Sequence, residues 1–262
     1  MPSSDLDSAI VWFDGERADE AAIRRYLASV ATEATGLLVR CGFRPDEHRV
    51  SASDPLFVRS LSSWRRAARS FLDDPTQAKA LVLVSVLVDS RAVWGNETEP
   101  LIAETFRLAQ ARPRLLRLLA EFALDHRPPT GFLRGFVVES SGEHRRRLDL
   151  KSGGIVPIVD IARWAGLAAG VTSSSTTARL SAAADAGTLT DFDALTLAEA
   201  FELVCELRLD HQVAQLLAGT DPDDFLDPDE LNPLTRNYLK EAFRAVASVQ
   251  RHIASELALP LK

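Results

Sequence analysis

Apolar residues recur at three- and four-residue intervals along most of the chain, which is the pattern of helices with one buried face. In the first half this spacing predicts helices over residues 19–40, 56–72, 101–111 and 114–124. In the second half it predicts helices over residues 155–169, 176–186 and 195–217. A last helix is expected after Asn232 and Pro233, because asparagine is a common N-cap and proline is favoured at the first helical position.

Strand signals are concentrated in the first hundred residues. The apolar run that follows Asp7 and extends to Phe13 predicts a first strand. The run from Lys79 to Val88 is almost entirely leucine and valine, and turn signals at both ends favour a strand buried on both faces. Shorter strand-like pieces at 136–138 and 147–150 flank a turn predicted at 140–142.

The order of these patterns predicts two regions of different fold class. Residues 1–110 are expected to form an α/β (α+β) domain with a mixed sheet and flanking helices. Residues 111–262 are expected to form a mostly α-helical domain. We interpret the tryptophans, Trp94 among them, as core residues, since each stands singly among apolar neighbours.

Two carboxylates lie two residues apart at the start of the chain, at Asp5 and Asp7. Residues i and i+2 of a strand point to the same side, so the pair could act as hard oxygen ligands for a divalent cation. An exposed acidic turn is the alternative interpretation. Asp89, which ends the second predicted strand, could join them, or it could be an ordinary strand-end aspartate in a turn.

Lys151 precedes Gly153 and Gly154 at the start of a predicted helix. Glycines allow backbone N–H groups to approach a ligand closely, and a helix N-terminus attracts anions, so this segment is a candidate phosphate site. The alternative is a glycine turn with a solvated lysine, and the segment does not match a P-loop. Arg91 could contact phosphates or could form a structural ion pair.

Composition limits the classes of partner. The chain has 262 residues and a net charge of −7, which argues against a general nucleic-acid clamp. No apolar run approaches the length of a membrane span, so no membrane partner is expected. Since no signal peptide is recognisable either, we expect a cytoplasmic protein.

Several short motifs, in this order and spacing, resemble a bacterial family of putative nucleotidyltransferases related to protein-PII uridylyltransferase and glutamine synthetase adenylyltransferase. The matching segments cover nearly the whole chain and comprise residues 4–9, 88–95, 148–155, 176–180, 207–212 and Asp227-Pro228. The resemblance implies a polymerase-beta-like nucleotidyltransferase domain followed by a helical, substrate-binding domain.

The resemblance implies transfer of a nucleoside monophosphate from a nucleoside triphosphate to an acceptor, with release of pyrophosphate. A protein side chain is a candidate acceptor. Two Mg²⁺ ions, with Mn²⁺ as an alternative, would be held by Asp5, Asp7 and Asp89, and Asp89 could also take the proton of the acceptor. The residues expected to bind the nucleotide or its phosphates are Ser4, Arg91, Lys151, Gly153 and Gly154.

One feature of the family has no counterpart in the sequence. A Gly-Ser turn that holds the phosphates should stand several residues before the paired aspartates, whereas Met1 lies four residues before Asp5. A misassigned or shortened start would explain the difference, and so would loss of the phosphate-binding turn. The second case predicts weak nucleotide binding, and it favours the alternative of a non-catalytic, nucleotide-responsive regulatory module.

Overall fold

The computed structural model describes residues 2–15, 19–45, 50–76, 80–95, 99–130, 136 and 144–260. The described residues form helices α1 Glu20–Arg40, α2 Leu61–Asp73, α3 Ala80–Asp89, α4 Glu99–Gln110, α5 Pro113–Asp125, α6 Val156–Ala168, α7 Thr176–Asp185, α8 Asp191–Leu217 and α9 Pro233–Glu256. The strands are β1 Asp5–Leu6, β2 Ile10–Trp12, β3 Arg44–Pro45, β4 Val58–Ser60, β5 Leu148–Asp149 and β6 Phe225–Leu226. A wide, π-type helical turn over Leu150–Ile155 leads into α6.

In the first region, each strand that precedes α1 in sequence pairs in parallel with a strand that follows it. β1 pairs with β3, which places Asp5 opposite Arg44. β2 pairs with β4, which places Ile10 opposite Val58. In the second region β5 and β6 form a short antiparallel pair. The predicted fold class, a small sheet with flanking helices followed by a mostly helical region, is confirmed.

The strand predicted over residues 79–88 is wrong, because Ala80–Asp89 forms helix α3. A continuous leucine and valine run carries no periodicity that separates a buried strand from a buried helix. Val84, Leu87 and Val88 are all buried, as expected for positions i, i+3 and i+4 on one helix face. Tertiary packing therefore overrides the strand preference of valine here. Lys79 lies outside the described residues.

The N-caps test the predicted starts of two helices. The predicted start of the last helix is confirmed, and that of the second helix is corrected. Asn232 Oδ1 accepts hydrogen bonds from the backbone N–H groups of Leu234 and Thr235, which confirms the predicted N-cap of α9. The helix expected from residue 56 begins only at Leu61, since residues 58–60 pair as β4. Ser60 caps it by accepting a hydrogen bond from Ser63 N.

The largest hydrophobic core is continuous across residue 110, where the domain boundary was predicted. Leu72, Val84 and Phe106 from the first region pack in the same cluster as Ile158 and Val249 from the second. The residue pair 111–112 connects α4 to α5 at that point. The helices α2, α3 and α4 therefore attach the small sheet to the helical region.

The structure also tests the predictions for the tryptophans and for the short strand-like pieces. Trp64 and Trp164 are buried as expected, but Trp94 is 93% exposed, so its assignment to the core is wrong. The strand-like piece near residue 147 is present as β5, while the turn predicted at 140–142 lies outside the described residues. Of the piece at 136–138, Phe136 alone is described, and it forms a bridge with Thr130.

Within the described ranges, no helix is long and apolar enough to cross a membrane.

Candidate functional site

The acidic segment, residues 4–8, pairs with β3 through β1 and contacts the loop that precedes β4. Asp5 belongs to β1, whereas Asp7 follows the strand, and both residues are exposed. Ser8 N donates to Val50 O at 3.0 Å, and Ser8 Oγ accepts from Ala52 N at 3.0 Å. Because β1 ends at residue 6, the strand periodicity that would align the two carboxylates does not extend over both.

A buried polar cluster holds the same segment on its other side. We call it the Ser3 network, and it consists of Ser3, Arg208, Gln212 and Asp224. Ser3 Oγ donates to Asp224 Oδ1 at 2.9 Å and accepts from Arg208 Nη2 at 2.9 Å and from Gln212 Nε2 at 2.6 Å. Arg208 Nε and Gln212 Nε2 also donate to Asp224 Oδ1, at 2.6 Å and 2.7 Å. The network thus ties the beginning of the chain to α8 and to the loop that follows it.

The loop after α8 is held by a second aspartate. Asp223 Oδ1 accepts a hydrogen bond from Phe225 N at 2.9 Å and lies 3.1 Å from His211 Nε2. Gln215 Oε1 accepts from Asp223 N at 2.8 Å. Burial of Asp223 favours its neutral form, but the bonds from Phe225 and His211 outweigh it and lower the pKa of the carboxyl. His211 therefore helps to fix this loop.

The segment that carries Lys151 is joined to the Ser3 network through the backbone of Asp224. Leu150 N donates to Asp224 O at 2.9 Å, and the half-buried Lys151 is the next residue. Asp149 caps the π-type turn by accepting a hydrogen bond from Ser152 N at 2.7 Å. That N–H group is therefore already taken by a carboxylate of the chain itself.

Gly153 and Gly154 both lie at close packing contacts. A Cβ atom on Gly153 would lie 2.9 Å from Pro129 Cδ, and one on Gly154 would lie 2.7 Å from Val204 Cγ1. Real Cβ contacts are longer than this, so a side chain at either position would require its neighbour to move. Close packing of the turn is thus a sufficient reason for both glycines, and their phosphate-binding role stays a prediction.

Asp89 belongs to a separate network of charged side chains between α3, α6 and α7. Arg163 Nη2 donates to Asp89 Oδ2 at 2.6 Å, and Arg179 Nη1 donates to Asp89 Oδ1 at 2.6 Å. Arg179 Nη2 also donates to Val88 O at 2.8 Å, and Arg163 pairs with Asp160. The interpretation of Asp89 as the acidic tip of a strand is therefore wrong, since it ends a helix and both its oxygens are bound by guanidinium groups.

Asp160 is the most deeply buried acid of this network. Burial raises the pKa of its carboxyl, because desolvation disfavours the charged form, and Arg163 opposes that rise. His126 Nδ1 lies 3.1 Å from Asp160 Oδ2 without the alignment of a hydrogen bond. Asp160 on α6 thus lies beside the residue that follows α5.

The predicted set of three metal-binding carboxylates does not form in the part of the chain that the structure describes. There, no group of three or more histidine, cysteine, aspartate or glutamate residues could hold a metal ion. The exposed Asp5 and Asp7 keep their metal role as a prediction, while Asp89 is neutralised by arginines. Ser4 is half-buried next to Ser3 and Arg91 is exposed after α3, so their nucleotide-binding roles also stay predictions.

The sequence contained a signal for the Ser3 network that its apolar pattern alone does not reveal. On α8 the buried positions 197, 200, 204, 208 and 212 form one stripe, and its last two members are Arg208 and Gln212. A charged and an amide side chain on the buried face of a helix require polar partners in the interior. Their partners, Ser3 and Asp224, are not identifiable from local spacing.

Two family models match the chain. Residues 1–78 match the family described as "Putative nucleotidyltransferase DUF294". Residues 113–257 match the family described as "Putative nucleotidyltransferase substrate binding domain". No curated protein and no solved structure matches the chain. The second match covers more than half of the 262 residues and contains Lys151, Arg208, Gln212 and Asp224. The chain therefore belongs to the family of putative nucleotidyltransferases that carry this substrate-binding domain.

Proposed function

We propose that the chain binds a nucleoside triphosphate where the acidic segment meets the helical region, and that it transfers the nucleoside monophosphate to an acceptor with release of pyrophosphate. One observation carries this proposal. Asp224 connects the two predicted parts of the site through their chain neighbours, since its side chain accepts from Ser3 Oγ and its backbone oxygen accepts from Leu150 N.

The short distances along the chain from Ser3 to Asp5 and from Leu150 to Lys151 support a common ligand for the acidic segment and Lys151. Asp5 lies two positions after Ser3, so the Cα atom of Asp5 lies within roughly 7 Å of the Cα atom of Ser3. Lys151 directly follows Leu150, and its long side chain can extend further. A metal-bound triphosphate needs carboxylates to bind the cation and a positive charge to bind the phosphates. Asp5 and Asp7 would supply the carboxylates, and Lys151 would supply the ammonium group.

The donor set fits a magnesium ion in part. Asp5 and Asp7 are exposed carboxylates, and Mg²⁺ is commonly bound by one or two carboxylates together with substrate phosphates and water. These two residues would hold Mg²⁺ or Mn²⁺, which would neutralise charge at the phosphates when bound. Asp89 does not fit this role, since Arg163 and Arg179 occupy both its oxygens.

The acceptor is proposed by analogy alone. The resemblance to protein-PII uridylyltransferase and glutamine synthetase adenylyltransferase suggests a side chain of a regulatory protein, which would place the reaction in the cytoplasm. The experiment therefore varies the base of the nucleotide and screens for the acceptor.

A second function is favoured by a specific observation. The predicted third carboxylate, Asp89, is neutralised by two arginines, and no other group of three metal ligands forms among the described residues. A non-catalytic module that binds a nucleotide and responds to it would need Asp5 and Asp7 but no complete two-metal centre.

Transfer and binding can be measured on the same protein. The purified chain would be incubated with each common ribonucleoside triphosphate labelled at the α-phosphate, with Mg²⁺ or Mn²⁺ and a bacterial lysate. A labelled protein band that Asp5→Asn and Asp7→Asn abolish supports the transferase. The matched control is Asp185→Asn, which changes an exposed aspartate at the end of α7.

Isothermal titration without lysate decides between the two functions. Binding of the nucleotide without any transfer favours the regulatory module. If the chain neither binds nor transfers any nucleotide, both proposals are wrong. A band that persists in Asp5→Asn and Asp7→Asn would place the chemistry elsewhere in the protein.

A further inference from the structure

The Ser3 network uses the hydrogen-bonding capacity of its smallest member completely. A serine hydroxyl has one donor and two acceptor positions. Ser3 Oγ donates to Asp224 and accepts from both Arg208 and Gln212. The backbone N–H of Ser3 also donates to Gln212 Oε1 at 3.3 Å. Four hydrogen bonds thus determine the position and orientation of this one residue.

Gln212 is the most deeply buried member of the network. Its side chain is 0% exposed, both hydrogens of its amide group are donated within the network, and its oxygen accepts from Ser3 N. Arg208, one helical turn earlier on the same stripe, adds a charge-assisted pair with Asp224. The contacts from Ser3 to α8 span 205 and 209 residues of sequence.

A buried polar network of this kind contributes geometry more than net stability. Taking an arginine and an aspartate out of water costs about as much as their attraction returns, and apolar side chains of similar size can stabilise equally well. Apolar side chains do not make directional hydrogen bonds. Such bonds are satisfied only when the partner segment occupies one particular position.

The partner segment leads directly to the two exposed carboxylates. On one side of Asp5 and Asp7 the chain is held by the Ser3 network. On the other side it is held by the bonds of Ser8 to residues 50 and 52. The segment therefore spans between α8 and the loop that precedes β4, and separate hydrogen bonds hold its two ends. Between these ends Asp5 and Leu6 pair with β3.

We infer that Gln212 and Arg208 are positioning residues that hold Asp5 and Asp7 in place, so that α8 of the substrate-binding region sets the geometry of the acidic segment. The use of the two carboxylates in nucleotide binding rests on the proposed function. The anchoring itself rests on the contacts of Ser3 alone.

Hydrogen–deuterium exchange on the full chain measures the anchoring without any ligand. Gln212→Leu keeps the size of the side chain and removes its three bonds to the network, so we expect exchange of the amides of residues 4–8 to rise about tenfold or more. Ser3→Ala removes only the hydroxyl and leaves the helices untouched. It should raise exchange in the same residues even if Gln212→Leu does not fold.

Gln250 offers a matched control on α9. It is also a buried glutamine whose amide group donates two hydrogen bonds, to Ala123 O and His126 O, but it does not belong to the Ser3 network. Gln250→Leu should lower the melting temperature and leave exchange of residues 4–8 unchanged. Unchanged exchange in both Gln212→Leu and Ser3→Ala, or equal exchange in Gln250→Leu, would overturn the inference.

Binding of Mn²⁺ with nucleoside triphosphate separates this inference from the proposed function. If the wild-type protein binds them, we expect Gln212→Leu and Ser3→Ala to weaken the affinity about tenfold, while Gln250→Leu keeps it. Unchanged affinity in the first two variants, despite faster exchange, would overturn the positioning role. If the wild-type protein binds neither, the proposed function is wrong, and the exchange rates alone decide the anchoring.

Discussion

Arg179 and Asp89 form an ion pair between residues 90 positions apart, with 2.6 Å between Nη1 and Oδ1. Arg179 is only 2% exposed, and its remaining nitrogens donate to the backbone oxygens of Val88 and Ser173. The pair fastens the end of α3 to α7 and so joins the first region to the helical region. Asp89 is therefore first of all a structural residue.

We predict that Asp89→Ala destabilises the protein strongly. Removing Asp89 leaves the buried guanidinium group of Arg179 uncompensated. Fully buried pairs lose about 3–5 kcal/mol when broken. Because the side chain of Asp89 is 33% exposed, we expect a smaller loss of about 2–3 kcal/mol. The measurement is urea unfolding followed by circular dichroism. Asp73→Ala is the control, since Asp73 also pairs with an arginine, Arg112, but its side chain is 63% exposed. An exposed pair should contribute about 1 kcal/mol or less. Similar small losses in both variants would contradict the structural role.

Gly154→Ala should destabilise the protein by about 1–3 kcal/mol, as overpacking of a core does. Its new methyl group would lie 2.7 Å from Val204 Cγ1 and 3.4 Å from Phe243 Cε1. Gly36→Ala in α1 is the matched control, because a Cβ atom there meets nothing within 4 Å. Alanine is a better helix former than glycine, so this control should gain up to about 1 kcal/mol. Thermal melts of both variants test the difference in sign.

His252 should titrate above its ordinary pKa of 6.5. Asp193 Oδ2 lies 2.6 Å from His252 Nδ1, and this hydrogen bond and the carboxylate charge raise the pKa of the imidazole. A raised histidine pKa contributes stability that is fully present below pH 6.5 and is lost as the pH rises through the folded-state value. Proton NMR of the imidazole ring measures the titration.

Two variants separate the sources of the His252 shift. Asp193→Asn should return the pKa most of the way to the ordinary value. Glu256→Gln should lower it less, because Glu256 Oε1 is 3.5 Å from Nε2 and adds charge without a close hydrogen bond. A wild-type titration at or below 6.5 would show that the pair with Asp193 does not form in solution.

Mg²⁺ together with a nucleoside triphosphate should raise the melting temperature, and Asp7→Asn should remove most of that rise. A ligand that binds only the folded state stabilises it by about 2.7 kcal/mol at a hundredfold excess over its dissociation constant. The substitution keeps the shape of the side chain and deletes its charge, so ligand binding should suffer more than the fold. Equal shifts in the wild type and Asp7→Asn would place the nucleotide elsewhere.

Local sequence determined the helices whose periodicity and caps agree. α1, α8 and α9 occur close to the predicted bounds, because their apolar stripes repeat at the helical period and α9 carries the expected cap at Asn232. The motifs also sufficed to indicate the family, since they depend on residue identity and order rather than on contacts. These properties are encoded within a few turns of chain.

Tertiary structure alone decided the nature of residues 80–89 and the partners of the buried charges. A uniformly apolar run suits a strand or a helix, and packing of Val84 and Val88 into the helical core selected the helix. Asp89 and Ser3 each meet arginines far away in the sequence. Local spacing cannot encode such pairs, because a buried charge is tolerated only where the completed fold brings an opposite charge or a hydrogen-bond partner to it.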